Sequence, residues 1–128
     1  MEKTRATSIL IVEDESIVAL DIKHHLKRFG YRVLGPAASA DAALKIVDQE
    51  VPDLVLMDIK IQGDMDGVET ARIIRERYHR PVIMLTAYAD EQTLNRAKLS
   101  GPFGYILKPF DERELRTTIE MAHYRHKM

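Results

Sequence analysis

Five short, continuously apolar runs alternate with longer segments of helical spacing, and this alternation constrains the fold more than any other feature of the chain. The runs cover residues 8–12, 31–35, 54–57, 82–85 and 103–107, and Ile, Leu, Val and Met dominate them. Continuous apolar strands are what a parallel sheet needs when helices cover both of its faces; a half-exposed strand would alternate apolar with polar residues. Between the runs, apolar residues recur at three- and four-residue intervals. Ala19, Ile22, Leu26 and Phe29 form the first stripe, with Gly30 as its stop. Ala40, Ala43, Leu44 and Val47 form the second, capped by Ser39 or Asp41 and closed before Pro52. Val68, Ala71, Ile74 and Tyr78 form the third, and Leu115, Ile119 and Ala122 the fifth. The fourth segment, about 90–99, has only Leu94, Ala97 and Leu99 to bury, which predicts the most weakly anchored helix.

A strand–helix unit repeated five times predicts an α/β fold with right-handed crossovers: an open, doubly wound parallel sheet of five strands and five helices. Five units with no barrel closure suggest the flavodoxin-like strand order 2-1-3-4-5. The 128 residues show no linker, internal repeat or low-complexity stretch, so residues 1–128 are expected to form one domain. With 45% hydrophobic and 30% charged residues, a disordered chain is not expected, and no apolar run approaches the roughly 20 residues of a membrane span. Formal net charge is −1, which offers no electrostatic case for direct nucleic-acid binding. There is no cysteine, so disulfides, thiolate metal sites and cysteine nucleophiles are excluded; a cytoplasmic location is the expectation that fits.

In open α/β sheets, ligands bind beyond the carboxyl ends of the strands, where the strand order reverses. Glu13 and Asp14 follow the first strand, Asp58 the third, Thr86 the fourth, and Lys108 with Pro109 the fifth. Adjacent first and third strands would bring Glu13, Asp14 and Asp58 together, and carboxylates that close repel one another unless a cation sits among them. Hard oxygen ligands without cysteine or nearby histidine point to Mg²⁺ rather than zinc. A divalent cation, a lysine and a hydroxyl are the parts that neutralise a phosphoryl group in transfer. Asp58 is then the expected nucleophile, yielding an aspartyl phosphate. Each residue also has a structural reading: acids at a helix start, a loop lysine, a small residue at a junction. Their shared position, at strand carboxyl ends in the same sense, favours a site.

These residues resemble the CheY-like receiver domains of two-component response regulators. The matching features are the acidic pair in Ile11-Val12-Glu13-Asp14-Glu15, Asp58, the Asp66-Gly67 turn, Thr86-Ala87 and Lys108-Pro109, over about residues 9–124. The resemblance implies that Asp58 accepts a phosphoryl group from a phosphohistidine of a sensor histidine kinase. It implies Mg²⁺ held by Asp14, Asp58 and the Lys60 backbone carbonyl, with Glu13 acting through water. Lys108 and Thr86 would contact phosphoryl oxygens, and Ala87 would leave them room. Tyr105 would be the aromatic that turns inward when Thr86 moves. The surface of the fourth helix, fifth strand and fifth helix would then change its affinity for a downstream protein or a fused output domain, and could form a homodimer. Such a domain is not an enzyme beyond catalysing its own phosphorylation and dephosphorylation. One departure from the family pattern is visible: Gln62-Gly63-Asp64-Met65 makes the loop after Asp58 one residue longer and lacks the usual proline, as in receivers that work with sensor kinases.

Other signals carry less. Asp64-Met65-Asp66-Gly67 lacks the spacing and terminal Glu of a calcium loop, and Asp66 reads better as a helix cap. His123 and His126 share a helix face but supply only two ligands, and the basic residues from Arg113 to Lys127 are interleaved with Glu114 and Glu120. A flavodoxin would need a phosphate cradle where Glu13-Asp14-Glu15 stands. A phosphatase with an Asp nucleophile would place Asp-x-Asp there. A receiver-shaped interaction module that is never phosphorylated remains the other reading.

Overall fold

The computed structural model describes residues 6–87, 91–92, 95–96 and 104–127, Thr86 by its backbone alone. Five parallel strands, β1 (Ser8–Val12), β2 (Arg32–Ala37), β3 (Leu54–Asp58), β4 (Val82–Thr86) and β5 (Gly104–Leu107), form one sheet in the order β2-β1-β3-β4-β5. Four helices are delimited among the described residues: α1 (Ser16–Arg28), α2 (Ala40–Glu50), α3 (Gly67–Tyr78) and α4 (Glu112–Lys127). Of the expected fourth helix, Glu91, Gln92, Asn95 and Arg96 are described and helical. Leu94, Ala97 and Leu99, on which its weak anchoring was argued, lie outside the described residues.

The central strands show why their sequences are apolar throughout. Ile9 and Ile11 of β1, Leu54 and Leu56 of β3, and Ile83 and Leu85 of β4 point to one face, where α1 and α4 supply Ile22, Leu26, Leu115 and Ile119. The alternate residues Leu10, Val12, Val55, Met57, Val82 and Met84 point to the other, against Val47, Ala71 and Ile74 of α2 and α3. All these strand residues are fully buried, each large aliphatic side chain contributing about 1.5–3 kcal/mol. The edge strands need less. In β5 only Ile106 is buried, while Tyr105 and Leu107 face outward.

Helix ends follow local chemistry. The Ser39 Oγ accepts from the Ala42 N–H at 3.2 Å, so Ser39 rather than Asp41 caps α2. Asp66 caps α3, its Oδ1 accepting from the Glu69 N–H at 3.0 Å. After α1, Gly30 takes a left-handed φ of 92° while its N–H reaches the Lys27 carbonyl and the Tyr31 N–H reaches the Leu26 carbonyl, the double closure that favours glycine at a helix end.

β2 departs from its expected span. It starts one residue later than residue 31 and runs on through Gly35-Pro36 to Ala37, although a Gly-Pro pair reads as a break in sequence. At the sheet edge a residue without an N–H is tolerated, and Gly35, at φ 86°, absorbs the register shift between the Leu10–Leu34 and Val12–Ala37 pairs. A Cβ there would lie 2.8 Å from the Ile11 carbonyl oxygen. No helix among the described residues is long and apolar enough to cross a membrane.

Candidate functional site

Strand register assembles the site. β1 and β3 pair Val12 with Met57, so one step further sets Glu13 level with Asp58, the last residue of β3. Asp58 in turn pairs with Leu85, and Thr86 with Leu107, which brings Lys108 to the same end of the sheet. The end of β1 is pinned by the Glu13 N–H, which donates to the Ala37 carbonyl at 2.9 Å. The end of β3 is pinned by the Ile59 carbonyl, which accepts from the Gly67 N–H at 2.7 Å. α3 starts so close to this strand end that a Cβ at Gly67 would run into the Asp58 carbonyl. Sequence reading registered Asp66-Gly67 as a turn; that the glycine is needed for a close approach to Asp58 is a tertiary fact.

Glu13, Asp14 and Asp58 each offer a carboxylate oxygen within 4.8 Å of the others. The Lys108 Nζ donates to the Glu13 Oε1 at 2.7 Å and to the Asp58 Oδ2 at 3.2 Å. The Glu13 side chain has no exposure, Asp58 has 9% and Lys108 16%, so water screens these charges weakly. The second oxygen of Glu13 accepts from the Glu15 N–H at 3.2 Å. Glu13 is thereby anchored through both oxygens, while Asp14 reaches solvent and Asp58 sits between them.

The electrostatics follow from that crowding. Burial, a hydrogen bond shared with Glu13 and the Glu13 charge push the Asp58 carboxyl up to about 6, against the opposing pull of Lys108. Burial also acts to raise Glu13, but hydrogen bonds with Asp58, Lys108 and the Glu15 backbone outweigh it and leave its carboxyl below the ordinary range. Burial acts to lower the Lys108 ammonium; Glu13 and Asp58 reverse this and hold it above its usual value. The cluster carries more negative charge than one lysine neutralises, and it collects that excess on Asp58. Hard oxygen donors in surplus, one of them open to solvent, fit a magnesium-like cation.

A family model of the response regulator receiver domain matches residues 9–120. The chain belongs to that family. Its receiver domain is 33% identical over 114 residues to the transcriptional regulatory protein PdtaR of Mycobacterium tuberculosis, covering 89% of this chain and 55% of that protein. The chain thus spans about half the length of the curated relatives it matches. Among solved structures, it is similar to the signal receiver domain of a modulated diguanylate cyclase from Desulfovibrio desulfuricans G20, at 36% identity and a TM-score of 0.90, covering 96% of this chain and 98% of that one. A CheY-like receiver domain protein from Methanospirillum hungatei JF-1 superposes with a TM-score of 0.87 at 31% identity, covering 96% and 98%.

The remaining expected site residues divide by position. Thr86 closes β4 beside Leu107, and its side chain lies outside the described residues. Lys60 stands in the bend two residues after Asp58 with its side chain exposed. Tyr105 is on the outer part of β5, 42% exposed. The longer loop after Asp58 is tied down: Gln62 makes a parallel bridge to Ser39, and its N–H donates to the Ala38 carbonyl at 2.9 Å. Gly63 supplies the turn with φ 96°. Sequence reading passed over Ile17 and Leu20, which stand 85% and 54% exposed on α1, just past the acidic pair. Their signal was present, since both fall off the Ala19–Ile22–Leu26 stripe and so had no core to enter.

Proposed function

We propose that this receiver domain is a phosphorylation switch in which Asp58 accepts a phosphoryl group from a phosphohistidine of a sensor histidine kinase. The observation that carries this reading is the Lys108 ammonium spanning Asp58 and Glu13 at 3.2 and 2.7 Å within a cluster of three carboxylates. An Asp58 oxygen attacks phosphorus, a P–O bond forms, the P–N bond breaks, and its electron pair leaves with the imidazole. Asp58 must be ionised to attack, and a carboxyl near 6 is largely ionised at neutral pH. Asp14, Asp58 and the Lys60 carbonyl would hold Mg²⁺, with Glu13 acting through water, and the cation would supply charge neutralisation for the incoming phosphoryl oxygens.

Lys108 then has a second partner to serve. A phosphoryl group on Asp58 places new anionic oxygens beside its Nζ, and the ammonium is drawn from Glu13 toward them. Lys108 lies three residues beyond Tyr105 on the same chain segment, so this movement, together with Thr86 turning toward the phosphoryl group, favours the inward position of the exposed Tyr105 ring. The surface made by β5, the last helix and the segment between β4 and β5 is the output, read by a downstream protein or a fused output domain in the cytoplasm. Ile17 and Leu20 offer an apolar rim beside the acidic pair on which a kinase can rest while its phosphohistidine reaches Asp58. The chain turns over no separate substrate; its chemistry is its own phosphorylation and dephosphorylation.

The test is incubation of the protein and its Asp58→Asn variant with Mg²⁺ and acetyl phosphate, followed by intact mass. A gain of one phosphoryl group by the wild type alone, abolished by a chelator, is expected. No gain, with beryllofluoride also failing to bind, would replace this reading with an unphosphorylated interaction module.

A further inference from the structure

The head of α3 is fastened to the phosphoacceptor strand, and one side chain from another part of the chain is fastened to that head. Asp66 caps α3 through its Oδ1, which accepts from the Glu69 N–H at 3.0 Å, and its carbonyl accepts from the Thr70 Oγ1 at 2.7 Å. Beside it, Gly67 lies against the Asp58 carbonyl, and its N–H donates to the Ile59 carbonyl at 2.7 Å. Asp66 therefore keeps a fixed place relative to Asp58. Its Oδ2 accepts at 2.9 Å from the Nη1 of Arg96, one of the helical residues between β4 and β5. The two side chains meet in an open cleft of about 420 Å³ that Asp64, Met65 and Glu69 also line. Glu69 is engaged by Arg72 of its own helix at 3.0 Å, so the Arg96 contact is the one that crosses between elements.

This pair joins two parts of the chain that the chemistry at Asp58 treats differently. Arg96 stands in the segment that follows Thr86, and Thr86 turning toward a phosphoryl group draws the start of that segment with it. Asp66 does not follow, because its cap and the packing of Gly67 hold it in place. A hydrogen-bonded ion pair survives only over a few tenths of an ångström, so the displacement is taken up at the Asp66–Arg96 contact. Burial acts to raise the Asp66 carboxyl, but the hydrogen bond from Arg96 and those from the α3 backbone outweigh it and hold it below the ordinary range. The pair is charged at neutral pH, and geometry rather than protonation opens it.

We propose that the Asp66–Arg96 ion pair is a resting-state latch, which ties the segment between β4 and β5 to the head of α3 and must open when Asp58 is phosphorylated. The inference rests on the reading of Asp58 as phosphoacceptor. The closed latch favours the unphosphorylated arrangement, and by reciprocity whatever favours the phosphorylated one opens the latch. The two side chains are 53% and 36% exposed, and a pair of that kind weights the equilibrium by roughly two- to fivefold.

Calorimetric titration of the full chain with beryllofluoride in saturating Mg²⁺ tests this. Arg96→Gln and Asp66→Asn should each bind about threefold tighter than wild type, asparagine keeping the helix cap while losing the charge. The double variant should bind no tighter than either single one, because both remove the same contact. The shared direction is the signature. A simple field effect on the site would move the two variants in opposite directions, since one loses a cation and the other an anion. Arg96→Gln binding at or below wild-type affinity would overturn the latch, as would opposite shifts in the two variants or single effects that add in the double. Each of those results, with wild type binding normally, leaves the phosphorylation reading standing. A wild type that binds no beryllofluoride would remove that reading and the latch together.

Discussion

The same two strands, β1 and β3, end in polar residues at both of their extremities, and the two ends behave differently. At the amino ends, the Asp53 Oδ2 accepts from the Ser8 N–H at 2.8 Å and from the Ser8 Oγ at 3.2 Å, while the Ser8 Oγ accepts from the Asp53 N–H at 3.1 Å. This carboxylate is met by two neutral donors, a backbone N–H and a hydroxyl. At the carboxyl ends, Glu13 and Asp58 face each other and share a single ammonium. The first arrangement holds the strands together. The second stores unneutralised negative charge, which a cation can balance. An acid met by neutral donors is structural, and buried acids crowded around one cation are chemically available.

The comparison breaks most visibly at the chemistry. Lys108→Ala should slow phosphorylation of Asp58 by acetyl phosphate about 10²–10³-fold, the usual loss for one charge-stabilising donor, whereas Asp53→Asn should leave the rate at wild type. Equal slowing in both variants, followed by intact mass against time, would dissolve the distinction between the two ends. The next effect is on stability without divalent metal. Lys108→Ala leaves the fully buried Glu13 without its ammonium and should cost about 3 kcal/mol in urea unfolding, a loss that excess Mg²⁺ should largely reverse. Ser8→Ala should cost less, about 1–2 kcal/mol for hydrogen-bonding groups left incomplete, and Mg²⁺ should not repair it.

The dependence on pH tests the carboxyl ends alone. Asp58 in the folded, metal-free protein holds its proton up to about pH 6, while an unfolded aspartate releases it near 3.9. Between those values the folded state binds more protons, so the contribution of Asp58 to stability falls as pH rises from about 4 to 6 and stays low above that. Urea midpoints without metal should therefore give Asp58→Asn a gain over wild type at pH 7 that shrinks toward pH 5. A gain that is flat with pH would mean Asp58 is not the residue bearing the excess charge.

Local pattern made much of this molecule legible. The burial of β1, β3 and β4 on both faces appears in sequence as uninterrupted Ile, Leu, Val and Met, and the left-handed stop at Gly30 and the caps at Ser39 and Asp66 were available from residue type. β2 was less legible because Gly35-Pro36 obeys the statistics of a turn, and only its place at the sheet edge makes a strand through proline acceptable. Ile17 and Leu20 could have been read as apolar residues off the Ala19–Ile22–Leu26 stripe, but only the fold shows that they stand exposed beside the acidic pair.

The sequence by itself determined the alternation of strands and helices, and with it which side chains follow which strand, because periodicity and chain order are local properties. It also brought Glu13, Asp14, Asp58 and Lys108 to the same end of a parallel sheet, since every parallel strand finishes on the same side. Tertiary structure decided the rest: that Lys108 spans Glu13 and Asp58, that Gly67 must lack a side chain to lie against Asp58, and that the longer loop is fastened to residues 38–39. Those facts depend on distances between segments far apart in the chain, which register and packing set and which no single stretch of sequence contains.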